Sequence, residues 1–467
     1  MKKVQLLNMG VPKWALDEAI STIRSLSAAD LNKTGIRHRL RDILADPAAW
    51  QDDPDAGELA RVLLAGPPEP ETGPADEPRA EPVPWRQWGT DIEEGAIEQM
   101  RAACYLPVAV AGALMPDAHH GYGLPIGGVL ATDNAVVPYA VGVDIACRMK
   151  LTILDMPAKA LERRREPLSK ALEDETRFGI GAHFKDRRQH EVLDADWSVS
   201  PITERLRDKA WSQLGTSGSG NHFVEFGSIT LDQPDLGLEP GVYLAVLSHS
   251  GSRGVGAAVC SHYSKIAREL HPNLPKNLQH LAWLGLDTEE GQEYWAAMQL
   301  MGRYAEANHA CIHRHIAKHL GAHVIYDLEN HHNFAWIEEH GGRQVVVHRK
   351  GATPAGQGVM GIIPGSMASP GFVVRGKGDP ASLASASHGA GRAMSRTKAH
   401  QTFRWNHVKP LLEERQVTLI SAGLDEVPGV YKDIHSVMAA QTDLVDTVAR
   451  FDPRIVKMAP AGEKPED

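Results

Sequence analysis

The chain carries 23 histidines and four cysteines, and several of them stand in short segments where side chains could converge on a metal ion. In VGVDIACRM, Asp144 and Cys147 lie three residues apart and offer a carboxylate oxygen and a thiolate. Such a pair could share or bridge metal ions if the backbone turns there. Taken alone, the pair is more simply explained by a capping aspartate and a small buried cysteine.

A second segment, GTSGSGNHFVEFG, places Asn221, His222 and Glu225 directly after three closely spaced glycines. Glycines allow successive backbone N–H groups to converge on an anion, as in phosphate-binding nests. The segment therefore predicts a phosphate next to a metal ligand. The alternative is a tight turn with an incidental histidine.

Two further segments add histidines and an arginine. SHSGSRGVG has His249 at the end of an apolar run and Arg253 four residues later, and the planar guanidinium suits a terminal phosphate. His249 could equally be a buried histidine without a metal. ENHHNFAW contains His331 and His332; if it is a strand, the two side chains face opposite ways and only one can enter a given site.

In SASHGAGRAMSRTKAH, His388 stands next to Gly389, with Arg392 four residues on. A neutral imidazole can attack an α-phosphate when cations neutralise the developing charge. Residues 341–400 hold eight cations against one acid, a net charge of +7, whereas the whole chain carries −10. A phosphate-bearing ligand is expected near this segment. A structural or metal-binding role for His388 stays open on spacing alone.

The amino-acid composition limits the class of protein to which the chain can belong. Apolar residues make up 42% and charged residues 23% of the 467 residues, as in ordinary globular proteins. The four cysteines form no CxxC pair, which argues against a disulfide framework or a zinc knuckle and favours a reducing cytoplasm. No signal peptide and no membrane span are expected.

The chain divides into four predicted parts. Residues 1–65 have helical spacing and predict a small helical N-terminal extension. Residues 66–84 hold seven prolines and predict a linker or exposed loop. Residues 85–458 have a globular composition and predict the main body, and residues 459–467 predict a disordered tail.

The body is predicted to be α+β. The runs VPYAVGVDIA, VYLAVLSH, VVVHRKGA and GFVVRG are typical of buried strands that end in glycine-bearing polar turns. Helical periodicity marks residues 159–173, 258–270, 290–319 and 434–450. The polar segments described above should therefore lie at strand ends.

These motifs together resemble the RtcB family of RNA ligases. The matching motifs, in order from about residue 99 to residue 457, are MPDAHHGYGLPIGG, VGVDIACRM, GSGNHFVE, SHSGSRG, HHN, HRKGA, GIIPGSM, SHGAGRAMSRTKA and DEVPGVYKDI. Nine dispersed motifs in the family's order are highly specific. The resemblance implies a single large domain of mixed sheets flanked by helices.

The resemblance implies a site for two manganese ions. In the family, an Asp-x-x-Cys pair and three histidines hold the metals, and the last of these histidines directly precedes an asparagine. The implied ligands in this chain are Asp144, Cys147, His222, His249 and His332.

The resemblance also implies catalytic and nucleotide-binding residues. The histidine that receives GMP matches His388, the aspartate of the MPD motif matches Asp117, and the arginine facing the RNA phosphate matches Arg253. The implied GTP contacts are Asn221, Glu225, Ser366, His388, Gly389, Gly391, Tyr431 and Lys457. Two departures from the family pattern are Gly371 in place of a serine and a nine-residue extension after Met458.

The implied activity is GTP-dependent ligation in RNA repair or tRNA splicing. An RNA 3′-phosphate or 2′,3′-cyclic phosphate would be joined to a 5′-hydroxyl through a histidine–GMP intermediate, with an archease-type activator as a further partner. One alternative is a two-metal phosphodiesterase or cyclic-phosphate hydrolase, which would not need His388 as a covalent centre. The other is a non-catalytic RNA-binding protein, against which the filled ligand and nucleophile positions argue.

Overall fold

The computed structural model describes residues 3–7, 9–29, 31–66 and 76–463. Two compact units divide between Asp76 and Glu77. The helices of the first unit are α1 (Lys3–Leu7), α2 (Leu16–Ala28), α3 (Lys33–Ala45) and α4 (Gly57–Ala65). Their apolar faces meet in a core of their own, which includes Leu26, Leu40 and Leu59. The predicted small helical extension is confirmed.

The second unit is a mixed α/β body, as predicted. Its helices are α5 (Glu94–Ala103), α6 (Pro138–Val141), α7 (Ala160–Arg163), α8 (Arg165–Glu175), α9 (Pro201–Gln213), α10 (Arg253–Leu270), α11 (Glu289–Leu320), α12 (Arg396–Thr402), α13 (Trp405–Glu414) and α14 (Ile434–Ala439). Its strands are β1 (Trp85–Gln87), β2 (Ala109–His119), β3 (Ile126–Thr132), β4 (Ala135–Val136), β5 (Arg148–Pro157), β6 (Phe223–Leu231), β7 (Gly241–Ser250), β8 (Leu284–Gly285), β9 (Val324–His331), β10 (Asn333–His340), β11 (Arg343–Lys350), β12 (Ala352–Pro354), β13 (Met360–Ile363), β14 (Gly371–Gly376), β15 (Ser385–Ser387), β16 (Thr418–Ser421) and β17 (Val445–Met458).

Two large sheets form the framework of this unit. The larger sheet has the strand order β13-β14-β17-β6-β7-β5-β9, with β16 paired to β17. The smaller sheet has the order β1-β2-β3-β11-β10. Both are mixed, because β16 runs parallel to β17 and β1 runs parallel to β2 while the other pairs are antiparallel.

The longest helix, α11, is bounded by strong end signals. Thr288 caps its N-terminus by accepting a hydrogen bond from the backbone N–H of Gly291, and Gly321 ends it in the left-handed conformation. Buried side chains along the helix, among them Met301 and Tyr304, belong to the largest apolar core cluster. The helix predicted over residues 290–319 is confirmed.

Several other predicted elements are confirmed. The helix predicted over 258–270 lies within α10, and VYLAVLSH, VVVHRKGA and GFVVRG lie in or overlap β7, β11 and β14. The segment 159–173 is helical but is divided into α7 and α8 by Arg164, which has φ −124° and ψ 31°.

Two predicted elements are wrong. VPYAVGVDIA is not a strand: Pro138 starts the short helix α6, and Gly142, at φ +104°, ends it. The run is apolar because it is buried, and burial alone does not distinguish a strand from a helix. Residues 434–450 are not one helix, since α14 ends at Ala439 and β17 begins at Val445 with burial that alternates along the strand.

The structure describes residues 76–84 of the predicted linker and residues 459–463 of the predicted tail. Residues 67–75 and 464–467 lie outside the described residues. In residues 76–84, Val83 is buried and the Arg79 guanidinium donates to the carbonyls of Leu106, Pro107 and Ala109, so this end of the linker is anchored although most of its residues are exposed. Within the described ranges, no helix has both the length and the apolar character needed to cross a membrane.

Candidate active site

Four neighbouring strands of the larger sheet bring the histidines and the cysteine together. His222 directly precedes β6, His249 lies near the end of β7, Cys147 directly precedes β5, and His332 follows the last residue of β9. These strands are adjacent and antiparallel in the order β6-β7-β5-β9. Because starts and ends alternate along such a sheet, all four side chains lie at the same end of it.

The loop before β5 is held in a strained shape. Ala146 has φ +58°, a conformation that costs a residue with a side chain about 1–2 kcal/mol. Its N–H donates to the carbonyl of Asn333, and the Asn333 amide donates in turn to the carbonyl of Asp144. The N–H of His332 donates to the carbonyl of Cys147. Asn333 thus ties the segment that carries His332 to the loop between Asp144 and Cys147.

The donor atoms of this cluster lie within a few ångströms of one another. Sγ of Cys147 is 3.4 Å from Nε2 of His222 and 3.1 Å from Nε2 of His249. Nε2 of His249 is 3.1 Å from Nε2 of His332, and Nε2 of His222 is 3.2 Å from Oδ2 of Asp144. The atoms form two groups that could each hold an ion: Cys147, His249 and His332, and Asp144, Cys147 and His222.

The protonation of His249 shows that this cluster fits a cation. Its Nδ1 lies 3.3 Å from the carbonyl oxygen of Asn221, which can only accept, so Nδ1 carries the proton. In the neutral ring, Nε2 is then a bare lone pair that faces Sγ of Cys147 and Nε2 of His332. A cation placed between these three atoms could accept all of their lone pairs, so the donor set fits a metal ion.

Burial keeps the ligand groups in the forms that bind metals. It lowers the pKa of His249 and of His332 well below the usual value, so both rings are neutral at pH 7. Burial opposes ionisation of Asp144, but the hydrogen bond and charge of His222 outweigh it and hold the pKa of the carboxyl below its usual value. A carboxylate, a thiolate and three imidazoles suit manganese or zinc.

Arg253 is a buried cation behind this cluster. It is the first residue of α10 and has φ +59°. Its guanidinium lies 3.4 Å from Nδ1 of His222. A Cβ at Gly218 would lie 2.3 Å from that guanidinium, so only glycine fits there. The glycine-rich segment therefore allows Arg253 to approach His222 closely.

His388 is held by a buried carboxylate from the smaller sheet. Oδ2 of Asp117, on β2, accepts from Nδ1 of His388 at 2.7 Å and from the backbone N–H groups of His388 and Gly389 at 3.1 and 3.2 Å. Burial opposes ionisation of Asp117, but its contact with His388 holds the pKa of the Asp117 carboxyl below its usual value. The His388 and His332 rings are 5.0 Å apart. Nδ1 of His388 is the donor, which leaves the lone pair on Nε2.

Two backbone contacts fix the strand around Asp117. Gly391 has φ +72°, and a Cβ there would lie 2.0 Å from the carbonyl oxygen of Asp117. The Lys432 ammonium donates to the carbonyls on either side, those of Pro116 and Ala118. The HGAGR segment and β2 are therefore packed backbone against backbone.

A cavity of about 500 Å³ connects these groups. A volume of this size is typical of small-molecule sites. All five implied metal ligands and most of the implied GTP contacts line it: Asp144, Cys147, Asn221, His222, Glu225, His249, His332, Ser366, His388, Gly389, Gly391 and Tyr431. Asp117 and Arg253 lie behind the lining, against His388 and His222. The structure thus brings together residues that are up to about 290 positions apart in sequence.

Another part of the cavity lining carries hydroxyl groups. Oγ of Ser366 donates to Oγ of Ser369 at 2.9 Å, and the Tyr431 hydroxyl donates to Glu426. Burial raises the pKa of Glu225 well above the usual value and also raises that of Tyr431. Gly371, where the family pattern has a serine, lies in the lining, and Ser369 contributes a hydroxyl nearby.

Lys457 lies away from this part of the lining. Its ammonium donates to the carbonyls of Leu172, Glu173 and Thr176 at the end of α8, and it is absent from the residues that line the cavity. Burial lowers the pKa of Lys457 to about 8. The structure therefore does not bring Lys457 together with the other implied GTP contacts.

Acids from other parts of the chain balance much of the positive charge of residues 341–400. Five of its eight cations form ion pairs with acids from outside the segment: Arg349 with Glu338, Arg375 with Asp235, Lys377 with Asp446, Arg392 with Glu426 and Arg396 with Asp425. The net charge of this segment alone therefore does not indicate a phosphate ligand, because the acids that balance its cations are distant in sequence. The phosphate ligand stays a prediction.

Some residues of the site were not found from the sequence. His331 turns away from the cluster, stacks on Trp336 and contacts Arg148, which agrees with the expectation that only one histidine of the pair enters the site. Lys350, which lines the cavity, is not among the residues that the sequence predicts for the site. It lies in the motif HRKGA at the end of β11, and its position there was the only signal.

Comparisons with known proteins agree with this geometry. The family model described as tRNA-splicing ligase RtcB matches residues 99–200 and 195–458. An RNA-splicing ligase RtcB of Escherichia coli strain K12 is 33% identical over 401 residues, which cover 79% of this chain and 95% of the relative. The tRNA-splicing ligases RtcB of Archaeoglobus fulgidus and Nanoarchaeum equitans are 31% and 30% identical, each over 77% of this chain and over 88% and 91% of their own lengths. The chain therefore belongs to the RtcB family of RNA ligases.

Proposed function

We propose that this RNA ligase joins an RNA 3′-phosphate or 2′,3′-cyclic phosphate to an RNA 5′-hydroxyl through GMP bound covalently to His388. The observation that supports the proposal most strongly is the contact of 2.7 Å between Nδ1 of His388 and Oδ2 of Asp117. It fixes the neutral tautomer whose Nε2 carries the lone pair of a nucleophile.

In the first step, Nε2 of His388 attacks the α-phosphorus of GTP. A P–N bond forms, the bond from the α-phosphorus to the bridging oxygen breaks, and pyrophosphate leaves. The imidazole becomes cationic as the P–N bond forms, while Nδ1 keeps its proton. The Asp117 carboxylate, already ionised and hydrogen-bonded to that nitrogen, offsets the new positive charge.

In the second step, an oxygen of the RNA 3′-phosphate attacks the phosphorus of the histidine-bound GMP. The P–N bond breaks, and His388 returns to its neutral form. A cyclic phosphate must first be opened by water to give the 3′-phosphate. In the third step, the 5′-hydroxyl oxygen of the other RNA attacks the 3′-phosphorus, loses its proton and displaces GMP. We propose Asp117 and Arg253 for these later steps, as the family resemblance implies.

The proposed metal ligands are Asp144, Cys147, His222, His249 and His332. Two manganese ions, when bound there, would polarise phosphate oxygens and stabilise the charge of leaving groups. The thiolate of Cys147 is common to both groups of donor atoms, which supports a shared ligand.

The proposed GTP contacts divide into two sets. Asn221, Glu225, Ser366 and Tyr431 line the cavity together with the HGAGR glycines, and this placement supports their role. Lys457 would have to leave the carbonyls at the end of α8 to reach guanine. An archease-type activator and a cytoplasmic location are parts of the same proposal. The four cysteines are buried and form no disulfide, which supports the cytoplasmic location.

Incubation with α-labelled GTP and manganese, followed by denaturing electrophoresis, tests this function. We expect a labelled band at the mass of the protein that disappears when RNA with a 3′-phosphate and a second RNA with a 5′-hydroxyl are added. A protein that opens cyclic phosphates but never becomes labelled would instead be a hydrolase.

A further inference from the structure

An exposed aromatic ring lies at the mouth of the cavity without an assigned role. Strands β2 and β3 form a hairpin in which His119 pairs with Ile126, and Tyr122 is at its tip. The Tyr122 side chain is 68% exposed, yet the residue is part of the cavity lining. A single exposed aromatic is unremarkable in itself. The backbone that carries this one, however, is held in place from several sides.

Two side chains fix the backbone of the hairpin tip. Gln99 forms a reciprocal pair with Gly121: its amide donates to the carbonyl at 2.6 Å and its oxygen accepts from the N–H at 3.0 Å. The buried Lys350 ammonium donates to the carbonyls of Tyr122 and Leu124 at 2.5 and 3.0 Å. These four bonds give the hairpin tip an ordered backbone.

Glu93 and His280 provide further contacts around the hairpin tip. Glu93 accepts a hydrogen bond from the N–H of His120. The ring of His280 packs edge-on against Tyr122, with centroids 6.3 Å apart, and Gly123 has φ +70° where a Cβ would lie 3.1 Å from the carbonyl oxygen of His280. One edge of the tyrosine ring is supported while most of its surface faces solvent.

The hairpin tip is also tied to the nucleophile. Asp117, two residues before the end of β2, holds His388. A Cβ added at Gly351 would lie 2.3 Å from Cγ2 of Ile126 and 3.2 Å from Cε1 of His388, so both residues lie against the same glycine. Both strands of the hairpin therefore reach the nucleophile segment, and the tip has a defined position relative to it.

We propose that Tyr122 is a stacking platform for a base of the RNA strand close to the end being joined. Every base offers a flat face, so stacking on a rigid ring positions RNA without selecting its sequence. The side chain has only two torsions to fix, and its backbone is already ordered, so little entropy is lost on binding. The proposal rests on RNA being the substrate, as in the proposed function.

The Tyr122 ring is much more exposed than the side chains that are proposed to contact GTP. Glu225 is buried, and Tyr431 is engaged by Glu426. A ring that is two-thirds exposed suits a strand that leaves the cavity rather than a nucleotide enclosed in it. We therefore assign Tyr122 to RNA and not to GTP.

The test measures RNA binding directly, without any ligation. A short fluorescent RNA ending in a 3′-phosphate is titrated with manganese-loaded protein, and Kd is read from fluorescence anisotropy. Tyr122→Ala should raise Kd by about 5- to 100-fold, the usual effect of losing one stacked base. Tyr122→Phe, which keeps the ring and removes only the hydroxyl, should bind within about twofold of the wild type.

An RNA series with one abasic nucleotide at each of the last four positions locates the stacked base. At one position, the abasic RNA should bind the wild type as weakly as intact RNA binds Tyr122→Ala, and the alanine variant should lose no further affinity there. Covalent GMP labelling should be the same in both variants and in the wild type.

The outcomes separate this proposal from the proposed function. A Kd unchanged in Tyr122→Ala would overturn the stacking role, as would a Tyr122→Phe protein as weak as the alanine variant. Loss of GMP labelling in Tyr122→Ala, with unchanged thermal stability, would assign the ring to GTP instead. Absence of labelling in the wild type, with the Kd pattern intact, would overturn the covalent mechanism and leave the RNA platform supported.

Discussion

Nδ1 of His388 and Oδ2 of Asp117 are 2.7 Å apart, although the two residues are 271 positions apart in the chain. The same carboxylate oxygen accepts from the backbone N–H groups of His388 and Gly389. The carboxylate therefore orients both the ring and the backbone of the segment that carries it. This contact joins the smaller sheet to the HGAGR segment and determines which ring nitrogen can act as a nucleophile.

Replacement of Asp117 by asparagine should slow guanylylation strongly. The neutral amide cannot offset the charge of the imidazolium and no longer favours the tautomer with its lone pair on Nε2. We expect the rate of GMP labelling to fall by about 10²- to 10⁴-fold, with manganese content unchanged. Asp443→Asn is the control, since it removes an exposed carboxylate paired with Arg86. A labelling rate within about twofold of the wild type would contradict this role for Asp117.

Gly391→Ala tests the backbone contact behind that carboxylate. The new Cβ would lie 2.0 Å from the carbonyl oxygen of Asp117, so β2 or the HGAGR segment must shift. Gly358→Ala is a matched control, because Gly358 has φ +77° with no atom within 4 Å of its Cβ position. Both variants should lose about 1–2 kcal/mol of stability from the left-handed backbone, but only Gly391→Ala should lose GMP labelling. Equal labelling in the two proteins would show that the contact is not required.

Cys147→Ala should reduce the manganese retained after dialysis. Sγ of Cys147 is close to both His222 and His249, whereas Cys260 contacts the carbonyl of Pro138 and burial raises its pKa to about 11. Cys260→Ala should keep its metal and lose only about 1 kcal/mol of stability from packing. Cys104→Ala and Cys311→Ala should behave in the same way. The measurement is the manganese content of the four variants. An equal loss of manganese in all of them would refute the assignment of Cys147 as a metal ligand.

The pH dependence of GTP use should report on Lys457. Burial lowers its pKa to about 8, and kcat/KM reports ionisations of the free enzyme. Since the ammonium loses its proton as pH rises through 8, kcat/KM for GTP should fall there if the cation contacts guanine. Lys457→Arg stays charged and should remove the inflection. If the inflection survives in Lys457→Arg, Lys457 is not its source, and the charge of Lys457 does not contribute to GTP use. Lys350, whose pKa burial also lowers to about 8, is then the next residue to replace.

The sequence predicted those parts of the fold that depend on local pattern. The valine-rich runs of β7, β11 and β14 and the long periodic helix α11 have side chains that repeat as the element requires. The pattern failed in VPYAVGVDIA, where tertiary burial makes a helix and a turn as apolar as a strand. It failed again after Ala439, because β17 is defined by pairing with distant strands.

The residues of the candidate site also fall into those that the sequence predicted and those that it did not. The side chains that approach the cavity are polar and stand in glycine-rich segments, so their types and spacing could be read from the sequence. The groups that hold these side chains in place could not be predicted from the sequence. The ammonium groups of Lys350 and Lys432 donate hydrogen bonds to backbone carbonyls, which leave no sequence pattern. The acids that pair with the cations of residues 341–400 are distant in sequence, and only the fold brings them close.

The identity of the nucleophile is the central claim, and peptide mapping of the GMP adduct tests it most directly. After reaction with α-labelled GTP, the label should map to His388 and should be labile in mild acid and stable in alkali, as expected for a phosphoramidate. His388→Ala should retain manganese, form no adduct, and still seal RNA that already bears a 3′-guanylyl cap. Persistence of the label in His388→Ala, or its mapping to a lysine, would contradict the account.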